Sequence, residues 1–253
     1  MPAKRSFLKI MLHYEKQGKG DPLILLHGIG SNSKSFHRQL KAFSPHHTTI
    51  AWDAPGFGKS QMPAKQITGI ETYTRALLDL LDSENLKSAT ILGHSFGGII
   101  AQDFYRRHPN RTQALILADT TTGGGDPSKR LHMIRTMTPQ QLARERAPNL
   151  LSRNAPTEIV EEAIARMAEI HRPGYEAASI AISTADTRGV LEEITVPLLM
   201  IWGAEDTITP AWKDWPKRAE VKIIPNAGHL CYLEQPQLFN EIVIDFLRPL
   251  SEG

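Results

Sequence analysis

Cysteine is nearly absent: Cys231 is the only one in 253 residues. An intrachain disulfide framework is therefore impossible, and nothing calls for an oxidising compartment. Long apolar runs are missing too. No stretch approaches the roughly eighteen uninterrupted apolar residues of a membrane-spanning helix, and the basic opening "MPAKRSFLKIMLHYEKQ" has an apolar run too short and too interrupted for a signal sequence. Charge of one sign is not in excess. With 29 Lys and Arg against 27 Asp and Glu the net charge is +2, so no broad field favours nucleic acid or an acidic membrane as partner. Neither internal repeats nor low-complexity tracts occur. His13 and the pair His46-His47 lack ligand-type clustering, so neither metal nor cofactor is expected. These absences lead to the expectation of a soluble cytoplasmic protein, monomer or homodimer, whose partner is a small molecule.

What is present is the composition of a globular enzyme. Hydrophobic residues make up 41% and charged residues 22%, ordinary for a chain able to bury a large core. Short apolar runs recur: Pro22 to Gly28, Thr48 to Asp53, Ala89 to Ser95, Ala114 to Thr120, Pro197 to Gly203 and Val221 to His229. They are continuous rather than alternating, as strands of a parallel sheet covered on both faces should be. "FLKIMLHYEK" alternates more and reads as an antiparallel edge strand. Between the runs, Ser35 to Phe43, Glu71 to Leu81, "GGIIAQDFYRRHP" and "QPQLFNEIVIDFLRP" have helical spacing. Strand alternating with helix implies a mostly parallel α/β sheet with right-handed crossovers.

From about Gly123 to Gly189 the rhythm stops. No strand pattern occurs, and five prolines (127, 139, 148, 156 and 173) divide helical segments. Thr138 and Thr157 stand as capping candidates before amphipathic runs, the second carrying the stripe Ile159, Ala163, Ile164, Met167. More than sixty residues is too long for a simple connection. The expected division is a core of residues 1–122 and 190–253 and a helical cap of residues 123–189, seated at the carboxyl ends of the strands, where such sheets bind ligands.

One stretch carries chemistry. "ILGHSFGGII" sets Ser95 in Gly-x-Ser-x-Gly, with a strand pattern before it and a helix pattern after. In such a turn the serine sits strained at the strand end, flanking glycines avoid clashes, and the helix N-terminus directs N–H groups at the site. A chance match in a glycine-rich turn is the alternative. A nucleophilic serine needs a base, and the base a carboxylate. Asp206 follows one apolar run in a loop closed by Pro210, and His229 follows another. The chain order Ser95, Asp206, His229 is that of the nucleophile-elbow class. Glu205 is the neighbouring alternative to Asp206. His27, His94 and Asp53 read mainly as loop braces, and Cys231 as a packing thiol.

With these residues the chain resembles the α/β-hydrolase fold family. "LLHGIG" (Leu25 to Gly30) resembles the family's oxyanion loop, "WDAPGFGKS" its Asp-x-x-Gly-x-Gly-x-Ser segment, "GHSFGG" its elbow, "WGAEDTITP" its acid loop and "NAGHLCYLEQP" its histidine loop. The resemblance implies a twisted sheet of about eight strands flanked by helices, with a helical cap. It implies a serine hydrolase with Ser95, Asp206 and His229 catalytic, and oxyanion donors at the backbone N–H groups of Ile29 and Phe96. His27, Gly28, His94, Met133 and Met137 are the expected substrate contacts. Serine at the elbow speaks against dehalogenase and epoxide-hydrolase chemistry. Leu230 after His229 departs from the tryptophan common in carbon–carbon bond hydrolases, and "GHLCYLEQPQLFN" looks like enol-lactonases and small carboxylesterases. Ester or lactone hydrolysis is the first expectation. Cleavage of a vinylogous diketone, a ligand receptor, or a non-hydrolytic lyase or synthase are the alternatives. Among Lys129, Arg130, Arg135, Arg144, Arg146 and Arg153, one arginine turned inward would hold a substrate carboxylate; otherwise all are solvated helix faces.

Overall fold

The central strands are largely apolar because water reaches neither of their faces. The computed structural model describes residues 11–63, 67–209 and 216–251. Among these, seven strands form one sheet: β1 (Tyr14–Gln17), β2 (Asp21–Leu26), β3 (His47–Trp52), β4 (Ala89–His94), β5 (Thr112–Ala118), β6 (Leu198–Gly203) and β7 (Glu220–Ile224). Their order is β1-β3-β2-β4-β5-β6-β7. β1 runs antiparallel to β3, and every other pairing is parallel. The count is seven where about eight were expected. β1 lies within the stretch read as an antiparallel edge, whose residues 7–10 fall outside the described residues, as does Pro210.

Helices cover both sheet faces. α1 (His37–Phe43) follows a 3-10 turn at Ser33–Phe36; α2 (Glu71–Ser83) and α3 (Phe96–Arg107) come next. After β5 come α4 (Ser128–Thr136), α5 (Pro139–Arg146), α6 (Thr157–Met167), α7 (Arg172–Thr184) and the single turn α8 (Val190–Glu193). After β7 come α9 (Cys231–Glu234) and α10 (Pro236–Ser251). Within β2, Ile24 and Leu26 pack with Tyr73, Leu77 and Phe104 of α2 and α3. Leu23 and Leu25 pack with Leu40, Phe43, Phe239 and Val243 of α1 and α10. The two-residue strand period thus sends alternate side chains into two separate cores. β7 departs from this. Its "VKII" reads as a strand covered on both faces, yet β7 is the sheet edge, with only Ile224 buried and Ile223 49% exposed. Apolar content alone does not distinguish an edge from a centre.

β2 pairs with β3 on one side and β4 on the other. The chain leaves β2 outward to β3, then crosses back to β4, so successive connections diverge at the β2–β4 boundary. Such a switch point opens a crevice at the carboxyl ends of the two strands.

No strand forms between β5 and β6. α5 begins as read, with a capping box: the Thr138 hydroxyl accepts from Gln141 N–H at 3.2 Å, and Gln141 Oε1 accepts from Thr138 N–H at 2.9 Å. Thr157 does not cap α6. It is the first helical residue, and extended Pro156 holds the cap position without a side-chain bond. The helical segment docks tightly over the strand ends. Arg38 donates to both carboxylate oxygens of Glu162 at 2.9 and 2.7 Å, and Lys34 and Asn32 both reach Glu169. On the other flank Ser152 donates through N–H and hydroxyl to Glu234.

α7 meets the loop after β3 backbone to backbone. A Cβ built on Gly174 would lie 2.0 Å from the Gly56 carbonyl oxygen. Gly174→Ala should therefore destabilise the protein by about 1–3 kcal/mol through overpacking, against a helix-propensity gain of at most about 1 kcal/mol. Urea unfolding measures the balance, and an unchanged or higher midpoint would show that this contact yields without cost.

Candidate active site

The sharp turn between β4 and α3 is one residue long. Ser95 has φ 52° and ψ −115°, a region that residues with a side chain rarely occupy. Its N–H donates to Ala118 O at 2.9 Å, and its carbonyl accepts from the Thr120 hydroxyl at 2.6 Å and from Gly98 N–H at 2.9 Å. Glycine is required on both sides for space. A Cβ on Gly93 would come within 2.4 Å of Gly97 O, and one on Gly97 within 2.1 Å of Leu26 O.

Two loops deliver the partners of this serine. Ser95 Oγ lies 3.0 Å from His229 Nε2, and His229 Nδ1 lies 3.0 Å from Asp206 Oδ2. Asp206 Oδ1 accepts from the N–H groups of Ile208 (2.7 Å) and Thr209 (3.1 Å), and the Thr209 hydroxyl donates to Oδ2 at 2.6 Å. Burial alone would raise the Asp206 carboxyl. The hydrogen bonds and charge of His229, with those of Thr209, outweigh it and hold the group well below the usual carboxylate range. An ionised Asp206 fixes the proton of His229 on Nδ1 and leaves Nε2 able to accept from Ser95.

Two backbone donors face the same space. Phe96 is the first residue of α3, so its N–H has no intrahelical acceptor. Ile29 follows the end of β2, and its N–H makes no hydrogen bond among the described residues. Because β2 and β4 are neighbours, the two loops converge: a Cβ on Gly28 would lie 3.2 Å from Ser95 Cβ.

The sequence pattern of the Alpha/beta hydrolase family matches residues 23–242. This chain belongs to that family. Its relatives include 3-oxoadipate enol-lactonase 2 of Acinetobacter baylyi, 28% identical with 92% of each chain covered. Another is a 2-hydroxy-6-oxononadienedioate/2-hydroxy-6-oxononatrienedioate hydrolase of Dechloromonas aromatica, 29% identical with 96% of this chain and 93% of that one covered. Among solved structures, a thermophilic esterase from Thermogutta terrifontis superposes with a TM-score of 0.88 at 26% identity, covering 96% of this chain and 94% of that one. The enol-lactonase from Burkholderia xenovorans does so with 0.85 at 25%, covering 94% and 97%.

In this α/β hydrolase the elbow opens into a cavity of about 320 Å³. Ser95, His229, Ile29, Phe96, Gly28 and His94 all line it. Three expected substrate contacts lie outside the lining. His27 is fully buried and braces its loop, bonded to Gly28 O at 2.8 Å and accepting from Ala54 N–H at 3.0 Å. Met133 is buried among Ile134 and Leu142, and Met137 packs against that cluster, because α4 turns this stripe toward the apolar core. Met167, from the α6 stripe, reaches the cavity instead. Glu205, the alternative acid, is exposed and accepts from Arg153 N–H at 3.0 Å. Asp53 braces the loop after β3, accepting from the N–H groups of Ser33 and Lys59 at 2.7 and 2.8 Å. Among the described residues no group of three or more His, Cys, Asp or Glu is arranged to hold a metal ion.

Two carboxyls meet at this end of the sheet, and only one was legible. Asp119, following β5, is fully buried with φ 44°, and its Oδ1 accepts from Gly203 N–H at 2.9 Å. Burial first, then the charge of Asp206, pushes its carboxyl well above the usual range. Cys231 is a buried free thiol beside it. The sequence around Asp119, "ALILADT", marks a strand end but nothing of its neutrality.

His94 ties the histidine loop to the elbow. Its Nε2 donates to the carbonyl oxygen of His229 at 2.7 Å, and its ring meets Tyr232 edge-on. Burial, then the adjacent His229, holds its imidazole down at about 3. The unfolded chain binds a proton on this ring near pH 6.5 that the folded protein refuses, so stability falls as pH drops from about 6.5 toward 3. In His94→Gln this contribution is absent. Its stability profile between about pH 4 and 6 should be shallower than that of the parent by up to about 1.4 kcal/mol per pH unit. Urea unfolding across this range tests it, and parallel profiles would contradict a buried neutral His94.

Proposed function

We propose that this chain is a serine hydrolase that opens a carboxylic ester or lactone through an acyl-enzyme on Ser95. The observation that carries the reading is the continuous hydrogen-bonded series Ser95–His229–Asp206 beside two unengaged backbone N–H groups. Ser95 Oγ attacks the carbonyl carbon while its proton passes to His229 Nε2. The Ile29 and Phe96 N–H groups receive the resulting oxyanion, each contributing about 3–4 kcal/mol to the barrier reduction. As the tetrahedral adduct collapses, His229 returns the proton to the departing alkoxide. Water then enters by the reverse sequence, gives its proton to His229 and frees the acid. Asp206 stays ionised throughout and stabilises the imidazolium. No step calls on a metal or cofactor.

In this reading residues 1–122 and 190–253 form the catalytic core, and residues 123–189 form a cap that shapes the pocket. Similarity to an enol-lactonase and to a solved esterase supports ester or lactone hydrolysis. A second reading, carbon–carbon bond hydrolysis of a vinylogous diketone, draws on the similarity to the nonadienedioate hydrolase. Leu230 in the pocket wall, where such enzymes commonly place tryptophan, favours the first.

Ser95→Ala should lower kcat on p-nitrophenyl esters by roughly 10⁴- to 10⁶-fold, and a fluorophosphonate label should map to Ser95. Residual activity within tenfold of the parent, or labelling elsewhere, would remove Ser95 from the role. Asp206→Asn should cost about 10⁴-fold by disturbing the His229 tautomer, while Glu205→Gln should cost little; the reverse ranking would move the acid by one residue. A parallel assay on a vinylogous diketone decides between the two readings: turnover there, with esters only slowly acylating Ser95, would favour the second.

A further inference from the structure

Two guanidinium groups enter the Ser95 cavity. Arg130 of α4 and Arg146 at the end of α5 both line it, and neither makes a hydrogen bond or ion pair among the described residues. Arg130 Nε and Nη2 and Arg146 Nε are buried with no partner. Tyr175 of α7 lines the same cavity. It is fully buried, its hydroxyl is also unpartnered, and both arginines act on it electrostatically. Burial, with Arg146 close by, pulls the Arg130 guanidinium below its ordinary range.

Such an arrangement is costly when empty. Buried donors without acceptors lose their water without recompense, and like charges repel. The carboxylate that acts on Arg130 from outside the cavity wall, Asp126, is exposed, accepts from Ser128 N–H, and makes no hydrogen bond to the guanidinium among the described residues. Glu162 is the only acidic residue in the described cavity wall, and Arg38 engages both of its oxygens. Arg166, the third arginine in the wall, already has Glu169 at 3.0 Å. Arg130, Arg146 and Tyr175 are left with donors and no acceptor, while Arg166 keeps a buried unpartnered nitrogen, Nε, beside its bond to Glu169. A planar carboxylate, with two oxygens and about four acceptor positions, matches guanidinium forks and a phenol. Ile29, Leu150, Ala163, Met167 and Leu233 give the wall an apolar portion, beside polar lining from Ser31, Ser35 and Thr121.

We propose that Arg130, Arg146 and Tyr175 form a carboxylate subsite, and that the ester or lactone opened at Ser95 carries a free carboxylate joined to it by a short apolar carbon chain. This rests on the hydrolase reading for the reaction but not for the binding. The product of hydrolysis is then a diacid or a hydroxy diacid. An upstream reaction must supply a monoanionic ester or lactone, and a downstream one must consume a dianion.

The test pairs mono-p-nitrophenyl esters of succinate, glutarate and adipate with neutral p-nitrophenyl alkanoates of equal acyl length. For the best chain length, kcat/KM should favour the anionic ester at least tenfold. Arg130→Gln and Arg146→Gln should each reduce that preference by roughly 10- to 100-fold, the range for a hydrogen bond to a charged group. Arg130→Lys should restore part of it, and Tyr175→Phe should lower it less. Calorimetric titration of the free diacids into Ser95→Ala protein gives a readout without catalysis. Binding should be measurable and lost in the added Arg130→Gln/Arg146→Gln pair, with thermal unfolding confirming that each variant is folded. Turnover of neutral esters through Ser95 with an anionic preference near one, and no diacid binding, would overturn the subsite and leave the hydrolase standing. Diacid binding that depends on both arginines, without turnover of any ester, would uphold the subsite and overturn the reaction. Equal competition by sulfate would overturn the carboxylate assignment.

Discussion

Everything at the candidate site hangs on one backbone torsion, the positive φ of Ser95. A non-glycine residue held there costs on the order of 1–3 kcal/mol, so the surroundings must impose it. They do so through hydrogen bonds to both backbone polar groups of Ser95, from Ala118 O, Gly98 N–H and the Thr120 hydroxyl. The bond to Ala118 makes β5 part of the turn, and the close pass of Gly97 against Leu26 O makes β2 part of it as well. The elbow is therefore built into the centre of the sheet. Its rigidity comes from the buried central strands β2, β4 and β5. The same turn makes Phe96 the first residue of α3, at the wall of the cavity, with an N–H that has no intrahelical acceptor.

Around that fixed serine, burial, hydrogen bonds and neighbouring charges shift two carboxyls in opposite directions. Asp206 and Asp119 are both buried carboxyls at neighbouring strand ends. Asp206 collects two N–H donors, a hydroxyl and an imidazole, and remains ionised. Asp119 takes one backbone N–H through Oδ1, and burial, then the charge of Asp206, pushes its carboxyl well above the usual range. Opposed shifts in paired carboxyls assign their roles: one negative charge is available to a histidine, and the other carboxyl fills the strand end without competing for it. His94 is kept neutral beside His229 and serves as a donor to that residue's backbone. A second imidazolium there would oppose the one that forms on His229 in the proposed reaction.

The elbow, the acid and the histidine were readable because each follows an apolar strand run, and local spacing reports what a strand end presents. The parallel sheet was readable for the same reason. Legibility failed where an answer depends on which neighbour arrives from far along the chain. β7 is as apolar in its "VKII" as a central strand, and only the absence of a further neighbour makes it an edge. Met133 and Met137 sit on helical spacing that predicts a buried face but not whether core or cavity lies beneath it. Thr157 has a capping residue's chemistry, yet Pro156 precedes it and takes the cap position. Arg130 and Arg146 stood among six basic residues with equal claim to solvent, and the fold turned these two inward. Tyr175 and Arg166 had no signal at all, since their positions are set by helix packing across the segment.

The docking of that helical segment also bears on the charge of the cavity. Glu162 belongs to the wall, and a free carboxylate there would answer the unpaired arginines from within the protein. Arg38, on α1 outside the segment, removes it with two hydrogen bonds of 2.9 and 2.7 Å. The same ion pair pins α6 to α1, while Gly174 against Gly56 and Ser152 against Glu234 pin other points of the segment. One interaction therefore does two things. It pins α6, which packs against the α5 that carries Arg146, and it keeps the single acidic side chain of the described cavity wall occupied elsewhere. The unsatisfied positive potential in the pocket is consequently a property of how the segment is attached to the sheet and not of its sequence alone. The proposed carboxylate subsite depends on that attachment.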